Sequence, residues 1–304
     1  MPASVVSSSP SLFGDLLFAD HFDHGKATQW FQENISVLFQ SLTVYLLFIF
    51  VVRHYLQERK GFELRTPLAI WNLGLAVFSA IGFLRMAPTF LHAYQKNGLV
   101  ATYSRFTEIQ TGACGYWMFL WRMSKIPEFV DSFFLVLRKK NVTFMHLFHH
   151  VSTSLCVFVV HESFSEYNGL INYFIHAIMQ AIRSFYKLFI RTFRYTYFAL
   201  CSIGYRPSPR FAHFITTIQL IQVGQSEDRM GVISCFQFIV SEFIYAHTGY
   251  LALVPGSGVS VSWGPYFLTV FTITSQLCFW VGFMNVEYFK NGGRKYSRVV
   301  KKFD

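Results

Sequence analysis

Seven apolar stretches, near residues 35–52, 66–86, 111–137, 143–161, 168–182, 211–251 and 264–289, leave this chain few ways to fold. An α-helix rises about 1.5 Å per residue, so about 20 apolar residues cross the hydrocarbon layer of a bilayer. Inside that layer only helices and closed barrels satisfy their own backbone polar groups. Runs this long and continuous predict helices, and the expected fold class is all-α: a polytopic membrane protein with seven transmembrane helices, the fifth and sixth irregular. Composition agrees, with 53% of residues hydrophobic and 14% charged, where a soluble domain carries about 25% charged residues. No Pro/Gly/Ser-rich linker and no internal repeat divides the chain. It reads as one membrane domain, 35–289, between a segment 1–34 and a basic tail 290–304. Residues 1–26 lack the basic start, apolar run and small-residue site of a cleaved leader, so the first span is expected to serve as its own signal.

The loops alternate in charge. "RHYLQERKGFELR", "RKKN", the 183–210 region and the tail are basic; 87–110 holds only Lys96 and Arg105, "HESFSEYNG" has no Lys or Arg, and 252–263 is uncharged. Cytoplasmic loops carry the Lys/Arg excess, which predicts a lumenal N-terminus and a cytosolic C-terminus. The net charge of +10 is thus first a matter of topology. A basic cytosolic face suits anionic lipid or a polyphosphorylated cosubstrate, and no nucleic-acid partner is implied. "KKFD" has the form of a dilysine retrieval signal, which points to the endoplasmic reticulum membrane. The "NIS" sequon at Asn34 falls on the lumenal side, hard against the first span. Five cysteines, Cys114, Cys156, Cys201, Cys235 and Cys278, are scattered in apolar surroundings. They are expected to be buried and reduced.

Polar residues inside the spans are expensive and therefore informative. "FMHLFHHVSTSL" puts His146, His149 and His150 at about 0°, 300° and 40° around a helix, all on one face. In "WRMSKIPEFVDSF", Lys125, Glu128 and Asp131 recur every third residue and drift through about 120° on a continuous helix. "NYFIHAIM" sets Asn172 four residues before His176. A lone histidine such as His213 or His247 is read as an interhelical hydrogen-bond partner. Lys125 with Glu128 reads equally well as an ion pair holding helices or as part of a reactive site. Two chemistries suit the histidines. HxxHH is a fragment of the boxes that hold di-iron in membrane desaturases and hydroxylases, but those need about eight histidines in three clusters, and outside this box the chain has no second HxxHH and no HxxxH. The metal reading is left underligated, and neither metal nor cofactor is expected. The other chemistry is acyl transfer, with an imidazole as nucleophile or general base. A non-catalytic lipid or ion transporter, its path lined by these polar groups, is a third reading.

At these residues the sequence resembles the ELO family of very-long-chain fatty acid elongases. The family's KxxExxD block reads "KIPEFVDS", with Ser132 where Thr is usual; its histidine box reads "HLFHH"; its N-xxx-HxxM block reads "NYFIHAIM"; and its TxxQxxQ block reads "TTIQLIQ", giving Thr216, Gln219 and Gln222. The early segment "ATQWFQEN…FELRTPLAIWNLGLAVFSAIGFLR" is most similar to the palmitoyl-elongating branch. The resemblance implies that long-chain acyl-CoA condenses with malonyl-CoA to give 3-oxoacyl-CoA, CO₂ and CoA, the first step of microsomal chain elongation. It implies six spans in a ring around a closed-end acyl tunnel, the first span outside, and a histidine acyl-enzyme with His149 as nucleophile. His176 would assist the malonyl unit, His146 and His150 would orient and tune, and Lys125 would meet CoA phosphates. Glu128, Asp131, Asn172, Gln219 and Gln222 would complete the substrate site. The implied partners are the reductases and dehydratase of the elongation cycle, membrane lipid and a second copy of the chain as a homodimer.

Two stretches depart from that pattern. "QAIRSFYKLFIRTFR", 180–194, intervenes where the family runs straight into an aromatic segment, and deleting it would restore "HAIMYTYFALCS". It reads as retained intronic sequence or, with Arg183, Lys187, Arg191 and Arg194 at helical spacing, as an amphipathic interfacial helix. "VGQSEDR", 223–229, sets three charges just after Gln222 within the sixth span, and it too reads as retained intronic sequence or a faulty gene model.

Overall fold

A computed structural model describes residues 22–104, 107–160, 166–180 and 228–284. All regular structure among the described residues is helical. In chain order the helices are α1 (His24–Glu33), α2 (Ile35–Tyr55), α3 (Arg65–Ser104), α4 (Gly112–Ser124), α5 (Val130–Leu137), α6 (Phe144–Val159), α7 (166–180), α8 (Asp228–Leu253) and α9 (Trp263–Met284). Short 3₁₀ turns, Thr107–Gln110 and Pro127–Phe129, precede α4 and α5.

Local chemistry sets the ends. The Asp23 side chain caps α1 by accepting from Lys26 N. Asn34, the sequon residue, donates its side-chain amide to Trp30 O at 2.9 Å, closing α1 immediately before α2 begins. Thr143 caps α6 by accepting from the His146 amide, which fixes where the histidine helix starts.

Two expected boundaries are corrected. The loop expected over 87–110 is helix as far as Ser104, because α3 continues through Pro88. Met86, Phe90 and Ala93 lie on one helical stripe and are buried, so packing sustains the helix after the apolar run fades. The chain bends at Gly98, whose φ of 78° is open to glycine and strained for other residues. The stretch 111–137 is not one continuous helix either. It stops at Ser124, turns through Pro127–Phe129 and restarts at Val130; Pro127 has no N–H to donate to a preceding turn. Span 168–182 corresponds to α7, and of 211–251 the described part is Asp228–Leu253. Residues 181–194 and 223–227 of the two departures lie outside the described residues, as do 1–21, 161–165 and the basic tail.

α2 buries a single stripe, Leu38, Leu42, Tyr45 and Ile49, while Phe39, Leu47 and Phe50 on its other faces are exposed. Ile70 and Leu84 of α3, Phe243 of α8 and Phe271 of α9 are exposed likewise. In water such a surface would drive aggregation; in a bilayer it is the lipid-facing wall. The most apolar 18-residue windows of α2 and α3 have mean hydropathies of 2.3 and 1.8, and both helices are long enough to cross. Lipid tails remove the hydrophobic drive between helices, leaving close packing and polar bonds to hold them. Gly82 of α3 shows the packing: a Cβ there would run into the ring of Tyr173 on α7. That tyrosine in turn donates to Trp117 O on α4 at 2.8 Å.

Candidate active site

The histidine face of α6 divides its work. His146 and His150, one turn apart, turn toward α2 and α5, with ring centroids 4.5 Å from each other. His146 Nε2 is 2.8 Å from Ser132 Oγ, and Ser132 Oγ is 2.9 Å from the Tyr45 hydroxyl. His150 lies against both Tyr45 and Phe129, each with ring centroids 6.1 Å away. His149 points the other way, into a cavity. Among the described residues it makes no hydrogen bond, which leaves its imidazole open toward that space.

Lys125, Glu128, Asn172 and His176 converge on the same place. Lys125 and Glu128, 3% and 5% exposed, pair at 2.7 Å across the Pro127 break. Ser124 Oγ adds a second bond to the same carboxylate oxygen at 2.9 Å. Lys125 Nζ also donates to Asn172 Oδ1 on α7 at 3.2 Å, and Trp121 Nε1 donates to that oxygen at 2.8 Å. His176, one turn beyond Asn172, lies within electrostatic range of both Glu128 and His149. The helix break sends Asp131 toward α3, where it accepts from Trp71 Nε1 at 2.6 Å; the smooth drift expected for Lys125, Glu128 and Asp131 on one helix is corrected accordingly. Thr216, Gln219, Gln222 and His213 lie outside the described residues.

The cavity encloses about 550 Å³, its opening included. Trp121, His149, Asn172, Val160 and Tyr245 are among the residues that line it, with α4, α6, α7, α8 and α9 contributing wall. Sequence reasoning missed several of its polar groups. Gln237 of α8 and Gln276 of α9 both line it and stand outside the TxxQxxQ block. It also missed a second buried ion pair, Arg122 to Glu166, at 2.8 Å. A charged residue within the third apolar stretch was a usable signal for Arg122; its partner stood in what read as a loop.

The residues read as incidental behave as such. The Tyr103 hydroxyl meets His247 Nδ1 at 2.7 Å, an interhelical bond. Cys114 and Cys156 are buried, as expected, but Cys278 is exposed. The outer face of a membrane helix is apolar too, so apolar neighbours do not imply burial.

The ELO: GNS1/SUR4 family model matches residues 30–296, a span that takes in every candidate site residue. The chain belongs to the ELO family of fatty acid elongases. It is 31% identical over 297 residues to "Long chain fatty acid elongase 1" of Caenorhabditis elegans, covering 96% of this chain and 88% of the relative. It is 30% identical over 303 residues to "Very long chain fatty acid elongase 6" of Drosophila melanogaster, covering 97% and 85%. The human protein of that same description is 33% identical over 209 residues, covering 68% and 73%. Among the ELO blocks quoted from the sequence, three therefore meet in space: Lys125 with Glu128, the histidine box, and Asn172 with His176.

Proposed function

We propose that this ELO elongase, an enzyme of fatty acid elongation, condenses long-chain acyl-CoA with malonyl-CoA through an acyl group carried on His149. The observation that supports the reading is that His149, alone of the box, faces the cavity without a hydrogen-bond partner among the described residues, beside Lys125, Glu128, Asn172 and His176. The imidazole nitrogen forms a bond to the thioester carbonyl carbon, the C–S bond breaks, and the ring proton leaves with CoA as its thiol. Malonyl-CoA then loses CO₂, its α-carbon bonds to the acyl carbonyl, and the N–C bond breaks to give 3-oxoacyl-CoA. The freed imidazole takes up a proton. Splitting one difficult step into two lowers each barrier, and a tunnel that excludes water protects the acyl-imidazole.

In this reading seven spans cross the endoplasmic reticulum membrane, with a lumenal N-terminus and a cytosolic C-terminus, and six of them ring the cavity as an acyl tunnel within domain 35–289. The acyl chain is near sixteen carbons, in keeping with the likeness of the early segment to the palmitoyl-elongating branch. Microsomes containing the protein are expected to incorporate labelled malonyl-CoA into long-chain products, and His149→Ala is expected to abolish this. Undiminished elongation in that variant would remove the mechanism.

A further inference from the structure

Resting on that reading of His149, we infer that Thr153 is a catalytic residue whose hydroxyl, oriented by Gln276, holds the carbonyl oxygen of the acyl group during transfer. Thr153 stands one helical turn beyond His149, and both line the cavity. Side chains of an α-helix lean toward its N-terminus, so Thr153 leans toward His149. Cβ atoms four residues apart are about 5–6 Å from each other, a gap that a carbonyl group bonded to the imidazole would fill.

The direction of the hydroxyl is set by its neighbours. A serine or threonine within a helix ordinarily donates to the carbonyl four residues back, and several here do: Thr43 to Phe39 O at 2.8 Å, Ser241 to Gln237 O at 2.9 Å and Thr269 to Pro265 O at 2.9 Å. Thr153 makes no such bond among the described residues. Its one hydrogen bond is accepted, from Gln276 Nε2 at 2.9 Å. Gln276 is 3% exposed, and its amide also donates to Ser152 Oγ at 3.0 Å, so both Nε2 hydrogens are engaged and the group is fixed. A threonine hydroxyl that accepts from an amide and does not donate to its own helix keeps its proton for the cavity.

That proton is placed for the tetrahedral step. When the His149 nitrogen bonds to the thioester carbon, the carbonyl π pair moves onto oxygen, and the Thr153 hydroxyl donates to that oxygen. When the pair returns, C=O re-forms and the C–S bond breaks. The same oxygen bears charge again when the malonyl-derived carbon attacks. A donor already oriented in a low-dielectric site strengthens as charge develops and needs no reorganisation.

The test is single-turnover acylation of purified protein by palmitoyl-CoA, following the His149 adduct by peptide mass spectrometry beside steady-state elongation. Thr153→Val, close to isosteric, is expected to slow adduct formation and kcat by about 100-fold, the effect typical of losing one oxyanion donor, with KM little changed. Thr153→Ser should restore most of the rate, and Gln276→Leu should give a smaller loss of the same kind. Should Thr153→Val fail to accumulate, the Gln276→Leu comparison decides: an unaltered acylation rate overturns the inference. Adduct formation at the wild-type rate in Thr153→Val overturns it equally. Absence of any His149 adduct in the wild-type protein would instead overturn the acyl-enzyme reading beneath it.

Discussion

Two buried ion pairs start three residues apart on the third apolar stretch, and they have different tasks. Lys125 and Glu128 pair within one turn, across a break in their own helix. They share Asn172 with the cavity wall and lie within electrostatic range of His149. Arg122 and Glu166 are separated by 44 residues and join α4 to the start of α7. The first pair keeps a cation beside His149, and the second joins two helices. Charge within a membrane span is therefore not one category, and the partner decides which kind it is.

That contrast can be broken most forcefully at Glu166. Glu166→Ala leaves the Arg122 guanidinium buried without its counter-ion, a cost of ~3–5 kcal/mol. A sharp fall in thermal stability in detergent is expected, and an unchanged melting temperature would show that the pair is not a fastening. Next come charge-free double variants, which separate holding from chemistry. Arg122→Met with Glu166→Leu is expected to regain the melting temperature and keep elongation activity. Lys125→Met with Glu128→Leu should regain stability while activity stays roughly 100-fold down, the scale of losing a preorganised electrostatic group. Equal activity in the two double variants would erase the distinction.

A smaller effect tests whether α7 is fastened by packing to α3 as well as by charge to α4. Gly82→Ala forces a methyl into the Tyr173 ring, and overpacking of this sort costs ~1–3 kcal/mol, read as a lower melting temperature. The smallest is expected from Tyr45→Phe, which removes one hydrogen bond from the Tyr45, Ser132 and His146 chain, worth ~0.5–1.5 kcal/mol. A few-fold change in elongation rate with nearly constant stability would place that chain with the chemistry. The reverse result would place it with the fastening.

Several of these features are legible without coordinates. The shared face of His146, His149 and His150 follows from helical periodicity, and it survives folding because the Thr143 cap fixes the helix start. That His149 alone turns to the cavity was not legible, since a face about 100° wide is divided only by what packs against each edge. Here Tyr45, Phe129 and Ser132 take one edge. The length of α3 was missed because hydropathy reports where lipid is favourable, whereas Met86, Phe90 and Ala93 carry the helix onward by packing. Pro127 was visible throughout, yet its effect on Asp131 depends on Trp71, 60 residues away.

By itself the sequence determined an all-helical membrane protein, its family and the residue types of its candidate site, because apolar run length and helical spacing are properties of neighbours along the chain. Only the tertiary structure decided which polar groups meet: Lys125 with Asn172, Arg122 with Glu166, and Gln276 with Thr153. In an apolar medium each buried polar group must find a partner, and which partner stands within about 3 Å is settled by how the helices pack, at separations along the chain that periodicity does not reach.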